Sequence, residues 1–344
     1  MKLIAYNDKL KDIKEFGSFT VVARQLNKEF KKNGVLGNID DPNCVVIYPE
    51  VFATEQRWKK QVPYLACEYS LAPKIVIDKL KLYNPLVLAI SDFAKKNILN
   101  SGYEKVQTVH LGVDTETWYP TKNKNKDVFT YLTVNSSNER SGLEKLLPAF
   151  DKFSKNKNVK LIIKDGINLQ FKSYVESLQN SKIEYIGEIM SENSLRDLYS
   201  QSHLFLYTNH TTSFGMTPLE AVMCGTPAIV TLGSALKEFI PESTQLYKIY
   251  TEQKQLDNAS IHNWIEYGIA CFPEYFLNLF NGNIYGERVK EIDIYEALEF
   301  SFTNYKKYLI IQKEHQKHII KNFNWKNTVI NIINECKKYD YLTS

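Results

Sequence analysis

Residues Ser213–Val230, SFGMTPLEAVMCGTPAIV, read as loop, helix, turn and strand within eighteen positions. The junction of loop and helix is built to hold an anion. Gly215 has no Cβ, so its backbone can approach a ligand closely. Pro218 suits the first helical turn, where its missing N–H costs nothing. The N–H groups of Met216, Thr217 and Leu219 then face out of the helix start, and the helix dipole adds partial positive charge to them. Two cations accompany this terminus at the ends of successive predicted strands, Arg140 in the loop 135–142 and Lys164 at the end of strand 159–164. An Arg and a Lys aimed at phosphate oxygens stabilise charge that develops on a leaving group. The plain alternative for each is a solvated surface charge. A carboxylate, Glu68, ends another predicted strand, 61–68. Facing a cleft it can hydrogen-bond or deprotonate a hydroxyl; otherwise it is a salt-bridged loop residue.

The elements that must position these groups alternate between strand and helix, which predicts parallel sheets. Strand 3–6 comes first, then a helix from Gly17 with Phe19, Val22, Leu26 and Phe30 on one face, Ser18 as its N-cap and Gly34 at its end. Strands follow at 43–50, 61–68 and 85–91, and a helix from Asp92. The polar stretch Thr121–Asp127 reads as an interdomain linker. A second series begins with strand 128–134, helix 143–155 and strand 159–164. Strand 183–190 turns at Gly187. Helix 191–201 and strand 203–208 lead into the central stretch, where Leu219, Val222 and Met223 give its helix a buried face and Gly225 ends it. Residues 252–290 are rich in aromatic side chains and read as a packing insertion. A helix over 294–308 and a long helical segment to His318 follow, then a final helix from Trp325.

The stretch SFGMTPLEAVMCGTPAIVT resembles the donor-site signature of GT-B glycosyltransferases of the retaining GT4 type. The segment AISDFAKKNILNSGYEKVQTVHLGVDTETWYP is similar to the end of that family's N-terminal domain. The resemblance covers about residues 1–250 and 291–335. It implies an α/β protein of GT-B architecture, two Rossmann-like domains facing a central cleft, with the C-terminal helix crossing back. On this plan residues 1–122 bind the acceptor, 123–322 bind a nucleotide-sugar, and 323–344 pack back on the first domain. The activity implied is retaining transfer of a sugar from a nucleotide-diphosphate sugar, UDP- or GDP-linked, to the hydroxyl of a glycan or lipid-linked saccharide. A hydroxymethylated DNA base is the alternative acceptor, and a nucleotide-sugar-binding protein with little catalysis is the alternative from another class.

Carried over residue by residue, Arg140 and Lys164 match the family's basic clamp, with Ser141 in place of its second cation. Glu220 matches the glutamate that takes a ribose diol. Gly187, Glu188 and Met190 fall in the base-binding loop, and Thr212, Ser213, Phe214, Gly215, Met216 and Thr217 in the loop that faces the phosphates and sugar. Gly17 and Ser18 stand where a Gly-rich loop lies near the transferred group. Thr212 departs from the pattern, because the family has a sugar-contacting glutamate there. A hydroxyl can bond a sugar but carries no charge.

Composition is ordinary for a soluble globular protein, at 344 residues with 44% apolar and 24% charged, and the length suffices for two domains. No run of eighteen apolar residues and no signal-peptide core are found, which predicts a cytoplasmic protein. A net charge of +4 does not demand nucleic acid, and is compatible with peripheral contact to an anionic membrane. The five cysteines lack a CxxC, and neither a DxD motif nor a ligand cluster stands out, so no metal or other cofactor is expected.

Overall fold

The computed structural model describes residues 2–7, 18–50, 56–135, 139–165, 171–255 and 282–341. They form two compact units. One comprises the described residues up to 114, with 282–285 and 322–341; the other comprises those from 115 to 255 and 286–321.

The first unit carries a parallel sheet of β1 (Leu3–Ala5), β2 (Val45–Glu50), β3 (Gln61–Leu65), β4 (Val87–Ala89) and β5 (Val106–Thr108), in the order β1-β2-β3-β4-β5. β3 is buried along its whole length, as a strand covered on both faces should be. Helix α1 (Ser18–Lys32) buries Val22, Leu26 and Phe30 at helical spacing. Helix α2 (Lys74–Tyr83) follows β3. Helix α3 (Asp92–Asn100) starts at Ser91, whose hydroxyl accepts the Ala94 N–H at 3.0 Å.

The second unit carries a parallel sheet of β6 (Phe129–Asn135), β7 (Val159–Asp165), β8 (Ile183–Ile186), β9 (Leu204–Tyr207) and β10 (Ala228–Val230), in the order β10-β9-β6-β7-β8. Helices α4 (Leu143–Ser154), α5 (Lys172–Ser177), α6 (Glu192–Gln201), α7 (Met216–Met223) and α8 (Leu236–Phe239) follow these strands. Leu143, Leu146, Leu147, Phe150 and Phe153 of α4 pack on Tyr131, Leu161 and Ile163 of the sheet. Each such burial stabilises the fold by about 1.5–3 kcal/mol. A two-stranded ribbon of β11 (Glu252–Gln255) and β12 (Tyr285–Arg288) lies beyond.

Two sequence expectations are corrected here. Thr121–Asp127 is not a free linker, because it is strapped to the second unit. The Thr121 N–H donates to Ser200 Oγ at 3.1 Å, Lys124 Nζ to Thr226 Oγ1 at 2.6 Å, and the Asn125 N–H to the Gln201 carbonyl at 3.1 Å. Ser18 is exposed at the start of the described part of α1, and the residue before it lies outside the described residues. The helix expected over 294–308 is broken into α9 (Glu291–Thr303) and α10 (Tyr305–Asn322). At the break, Asn304 turns both its N–H and its side-chain amide onto the Phe300 carbonyl, the local competition that makes Asn a poor helix interior residue.

Helix α11 (Trp325–Lys338) returns to the first unit. Asn324 caps it by accepting the Asn327 N–H at 2.9 Å, and Thr328 Oγ1 donates to the His110 carbonyl at 2.9 Å. A Cβ at Gly112 would stand 2.2 Å from the Trp325 nitrogen, so only glycine admits the helix start. Phe323 meets the His110 ring edge-on, which gives that histidine a structural place.

Candidate functional site

All strands of the second sheet run parallel, so their carboxyl ends share one edge. From β6 the chain steps outward to β7 and β8, then crosses back to β9 and β10. The order therefore reverses between β6 and β9. The loops that leave two strands at such a point diverge and open a crevice, the usual ligand position in open α/β sheets. The turn Glu139–Ser141 follows β6, and the segment 208–215 follows β9. Arg140 sits on the first, and Thr212 to Gly215 on the second.

Gly215 is the N-cap of α7, with φ +93° and ψ +69°. A side chain there would meet both that backbone strain and the Leu236 Cδ2, 2.7 Å from an added Cβ. Pro218 falls in the first turn as expected. The start of α7 is tied to the end of β6 by Thr217 Oγ1, 3.4 Å from the Val134 carbonyl. At the far end the Thr226 N–H reaches the Ala221 carbonyl at 2.9 Å and the Gly225 N–H the Val222 carbonyl at 3.1 Å, with Gly225 at φ +80°. This is a Schellman ending, and it lets the chain turn directly into β10. Met216 and Thr217 remain partly open while Thr212, Ser213, Phe214 and Gly215 are buried. Ser213 Oγ is buried with no hydrogen-bond partner among the described residues. Phe214 packs on Phe239, with ring centroids 4.2 Å apart.

Thr212 does not stand free. Its N–H donates to Ser234 Oγ at 3.0 Å and its carbonyl accepts the Ala235 N–H at 3.2 Å. Ser234 holds the first of these bonds from a left-handed backbone, φ +51°. Burial raises the pKa of the nearby Tyr207 hydroxyl, and interaction with the Thr212 side chain acts in the opposite direction. Arg140 lies in electrostatic reach of the same Tyr207 hydroxyl. Burial pulls its guanidinium below the usual arginine value, but it stays a cation at any working pH. Lys164 is buried at the end of β7, and its ammonium donates to the Asp165 carbonyl. Desolvation lowers its pKa, and the Asp165 and Glu188 carboxylates act in the opposite direction. Tyr185 donates in turn to the Asp165 carboxylate. Gly187 and Met190 are partly open and Glu188 is exposed in the loop after β8, so backbone groups there are accessible.

Glu220 lies in the middle of α7 and is buried, with Tyr199 Oη donating to its Oε2 at 3.2 Å. Desolvation raises its pKa from 4.5 to about 7, against the Tyr199 bond and with a small contribution from Glu192. A buried carboxyl with one protein donor keeps acceptor capacity for further donors such as a ribose diol.

The remaining expected residues lie on the first unit. Glu68 is partly buried beyond the end of β3, and Ser18 starts α1. Gly17 lies outside the described residues, as does most of the aromatic stretch 252–290. Sequence reasoning missed Tyr199, Tyr207, Ser234, and the pair His210 and Glu144. The run Thr208-Asn-His-Thr-Thr-Ser213, six hydrogen-bonding side chains beside an apolar strand, is the signal that could have drawn attention to His210.

The arrangement concentrates cations and helix-start amides at one edge, with a carboxyl further along the same helix. That chemistry suits a phosphorylated ligand with a diol. Residues 114–264 match the family model of glycosyl transferases group 1. No curated protein matches the chain by sequence. Among solved structures, sucrose-phosphate synthase from Thermosynechococcus elongatus is similar with TM-score 0.63 and 14% identity, over 86% of this chain and 73% of that one. A glycosyltransferase from Rickettsia africae ESF-5 is similar with TM-score 0.60 and 15% identity, over 97% and 89%. HepE from Anabaena, solved with UDP and glucose, is similar with TM-score 0.59 and 11% identity, over 94% and 83%. At these identities the structures speak to the fold. The resemblance to group 1 glycosyltransferases of GT-B architecture is thus borne out, by the family match over 114–264 and by the fold of the chain. Among the described residues no helix is long and apolar enough to cross a membrane.

Proposed function

We propose that this protein is a retaining, metal-independent glycosyltransferase that moves a sugar from a nucleotide-diphosphate sugar to a hydroxyl of a glycan or lipid-linked saccharide. One observation carries the reading: Arg140, the Gly215-capped start of α7 and Glu220 belong to elements that meet at the reversal point of the second sheet. The diphosphate lies against the amides of Met216 and Thr217, with Arg140 and Lys164 on its oxygens. Glu220 accepts the ribose hydroxyls, and the loop at Gly187–Met190 takes the base. As the bond between the anomeric carbon and the phosphate oxygen breaks, negative charge grows on the diphosphate, where fixed donors and cations stabilise it most. The acceptor oxygen bonds to the anomeric carbon on the same face, and its proton passes to the departing phosphate oxygen. Glu68, on the first unit, is assigned to the acceptor hydroxyl.

The engagement of Thr212 by Tyr207 favours a second reading, a nucleotide-sugar-binding protein with little turnover. Thr212→Glu separates the two. On the transferase reading the variant loses at least tenfold in transfer, because Thr212 is buried and the larger, charged side chain disturbs its contact with Tyr207; a large gain supports the binding protein. The proposal is tested by a thermal-shift screen of UDP, GDP, ADP and their common sugars in EDTA. A ligand at 100 times its Kd adds about 2.7 kcal/mol to the state that binds it. One base standing out supports the reading, and no response to any of them rejects it.

A further inference from the structure

The loop after β9 and the turn after β6 are held together by more than their backbones. The His210 N–H donates to the Arg140 carbonyl at 2.8 Å, and Thr208 Oγ1 to the Ser141 carbonyl at 3.2 Å. A Cβ at Gly142 would stand 2.2 Å from the Thr208 carbonyl oxygen. The two segments touch directly at the point where the sheet order reverses. The His210 side chain extends this seam. It is fully buried, and its Nδ1 accepts the Val289 N–H at 3.0 Å. A nitrogen that accepts carries no proton, so the proton of the neutral ring is on Nε2. Nε2 then donates to Glu144 Oε1 at 2.6 Å. Glu144 is in the first turn of α4; burial acts to raise its carboxyl, but its interactions with His210, its own backbone N–H and Lys145 together hold it below the usual range.

The ring has one stable setting. The other tautomer would set an N–H against the Val289 N–H and a lone pair against the carboxylate. Three segments are therefore fixed to one imidazole: the loop that leads to Gly215, the helix that follows Arg140, and the residue after β12. The side chain itself is sealed from any ligand, so it can act only through what it holds.

We propose that His210 is a positioning residue of the donor site, which with Glu144 sets the loop 208–215 against the turn that carries Arg140. The inference rests on the nucleotide-sugar reading of that site. Its test is calorimetric titration of the wild-type protein and variants with whichever of UDP, GDP and ADP the wild type binds most tightly, together with unfolding of each variant. His210→Phe keeps the ring volume and removes both bonds, and is expected to weaken binding tenfold or more. Adding it to Arg140→Ala should then cost less than twofold further, since the cation it positions is already gone. Glu144→Ala is expected to lose binding in the same direction without disturbing the Val289 bond, and serves if His210→Phe does not fold. Glu144→Gln keeps the acceptor and should recover most of that loss. A lowered melting temperature with Kd within twofold of wild type, or losses that simply add to that of Arg140→Ala, overturns the proposal and leaves the nucleotide reading standing. A wild-type protein that binds none of the three rejects that reading, and the positioning role with it.

Discussion

Replacing Glu220 by Gln should make the protein more stable and less functional at once, to an extent that follows from where the carboxyl sits. The group is buried with one hydrogen bond from Tyr199, and burial raises its pKa from 4.5 to about 7. An unfolded glutamate releases its proton near 4.5, whereas the folded one keeps it until about 7. Between these values the folded state binds more protons, so stability falls as pH rises through that window and is level again above it. Each tenfold difference in proton affinity between the two states is worth about 1.4 kcal/mol, so the whole fall is roughly 3 kcal/mol. Glutamine has nearly the same shape, can still accept from Tyr199, and does not ionise. Glu220→Gln should therefore match wild type at pH 4.5 and exceed it by about 3 kcal/mol at pH 8, a difference of several degrees in melting temperature. Denaturant unfolding of both proteins at half-unit intervals from pH 4.5 to 8 measures the gap directly. The same change should weaken nucleotide binding, because the neutral amide is a poorer acceptor for the ribose diol than a carboxylate. A constant gap across the range would refute the pKa argument. A variant that binds nucleotide as well as wild type does would remove Glu220 from the site.

Four further outcomes are expected. Arg140→Ala and Lys164→Ala should each lower kcat/KM for transfer by about 10²-fold, as loss of one fixed charge at a leaving group does; steady-state release of nucleoside diphosphate reads this. Gly215→Ala should cost about 1–3 kcal/mol, from its φ of +93° and the crowding by Leu236, and should abolish binding measured by titration. Wild-type affinity for the nucleotide should rise with pH below about 7 and level off above it, with proton release on binding seen as a buffer-dependent heat, because the ribose hydroxyls favour the ionised Glu220. His315 is lowered to about 4 by burial and by the neighbouring His318 charge. The unfolded chain takes up this proton below about 6.5 and the folded one only near 4, so stability should fall with acid across that window. His315→Gln should flatten this part of the unfolding curve.

The central stretch was legible because each of its breaks has a residue that enforces it. Gly215 occupies a left-handed cap, Pro218 the first turn, and Gly225 the helix end, and none of these needs a partner far along the chain. The parallel strands were legible from short apolar runs between helical periods. The parts that escaped depend on distant partners. Thr121–Asp127 has the composition of a linker, yet Thr121, Lys124 and Asn125 reach α6 and Thr226 some eighty to a hundred positions away. His210 meets Glu144 across 66 positions and Val289 across 79. Thr212 reads as a lost carboxylate, and only the structure supplies Tyr207 and Ser234 as its partners. Periodicity ran straight through Asn304, because the apolar spacing of α9 and α10 continues while one side-chain amide ends the first helix.

The most direct measurement is a crystal structure of the protein with the nucleoside diphosphate that stabilises it most. The account predicts the diphosphate against the amides of Met216 and Thr217, with Arg140 and Lys164 on its oxygens and the ribose on Glu220. A nucleotide bound elsewhere, with the start of α7 facing water, would contradict it.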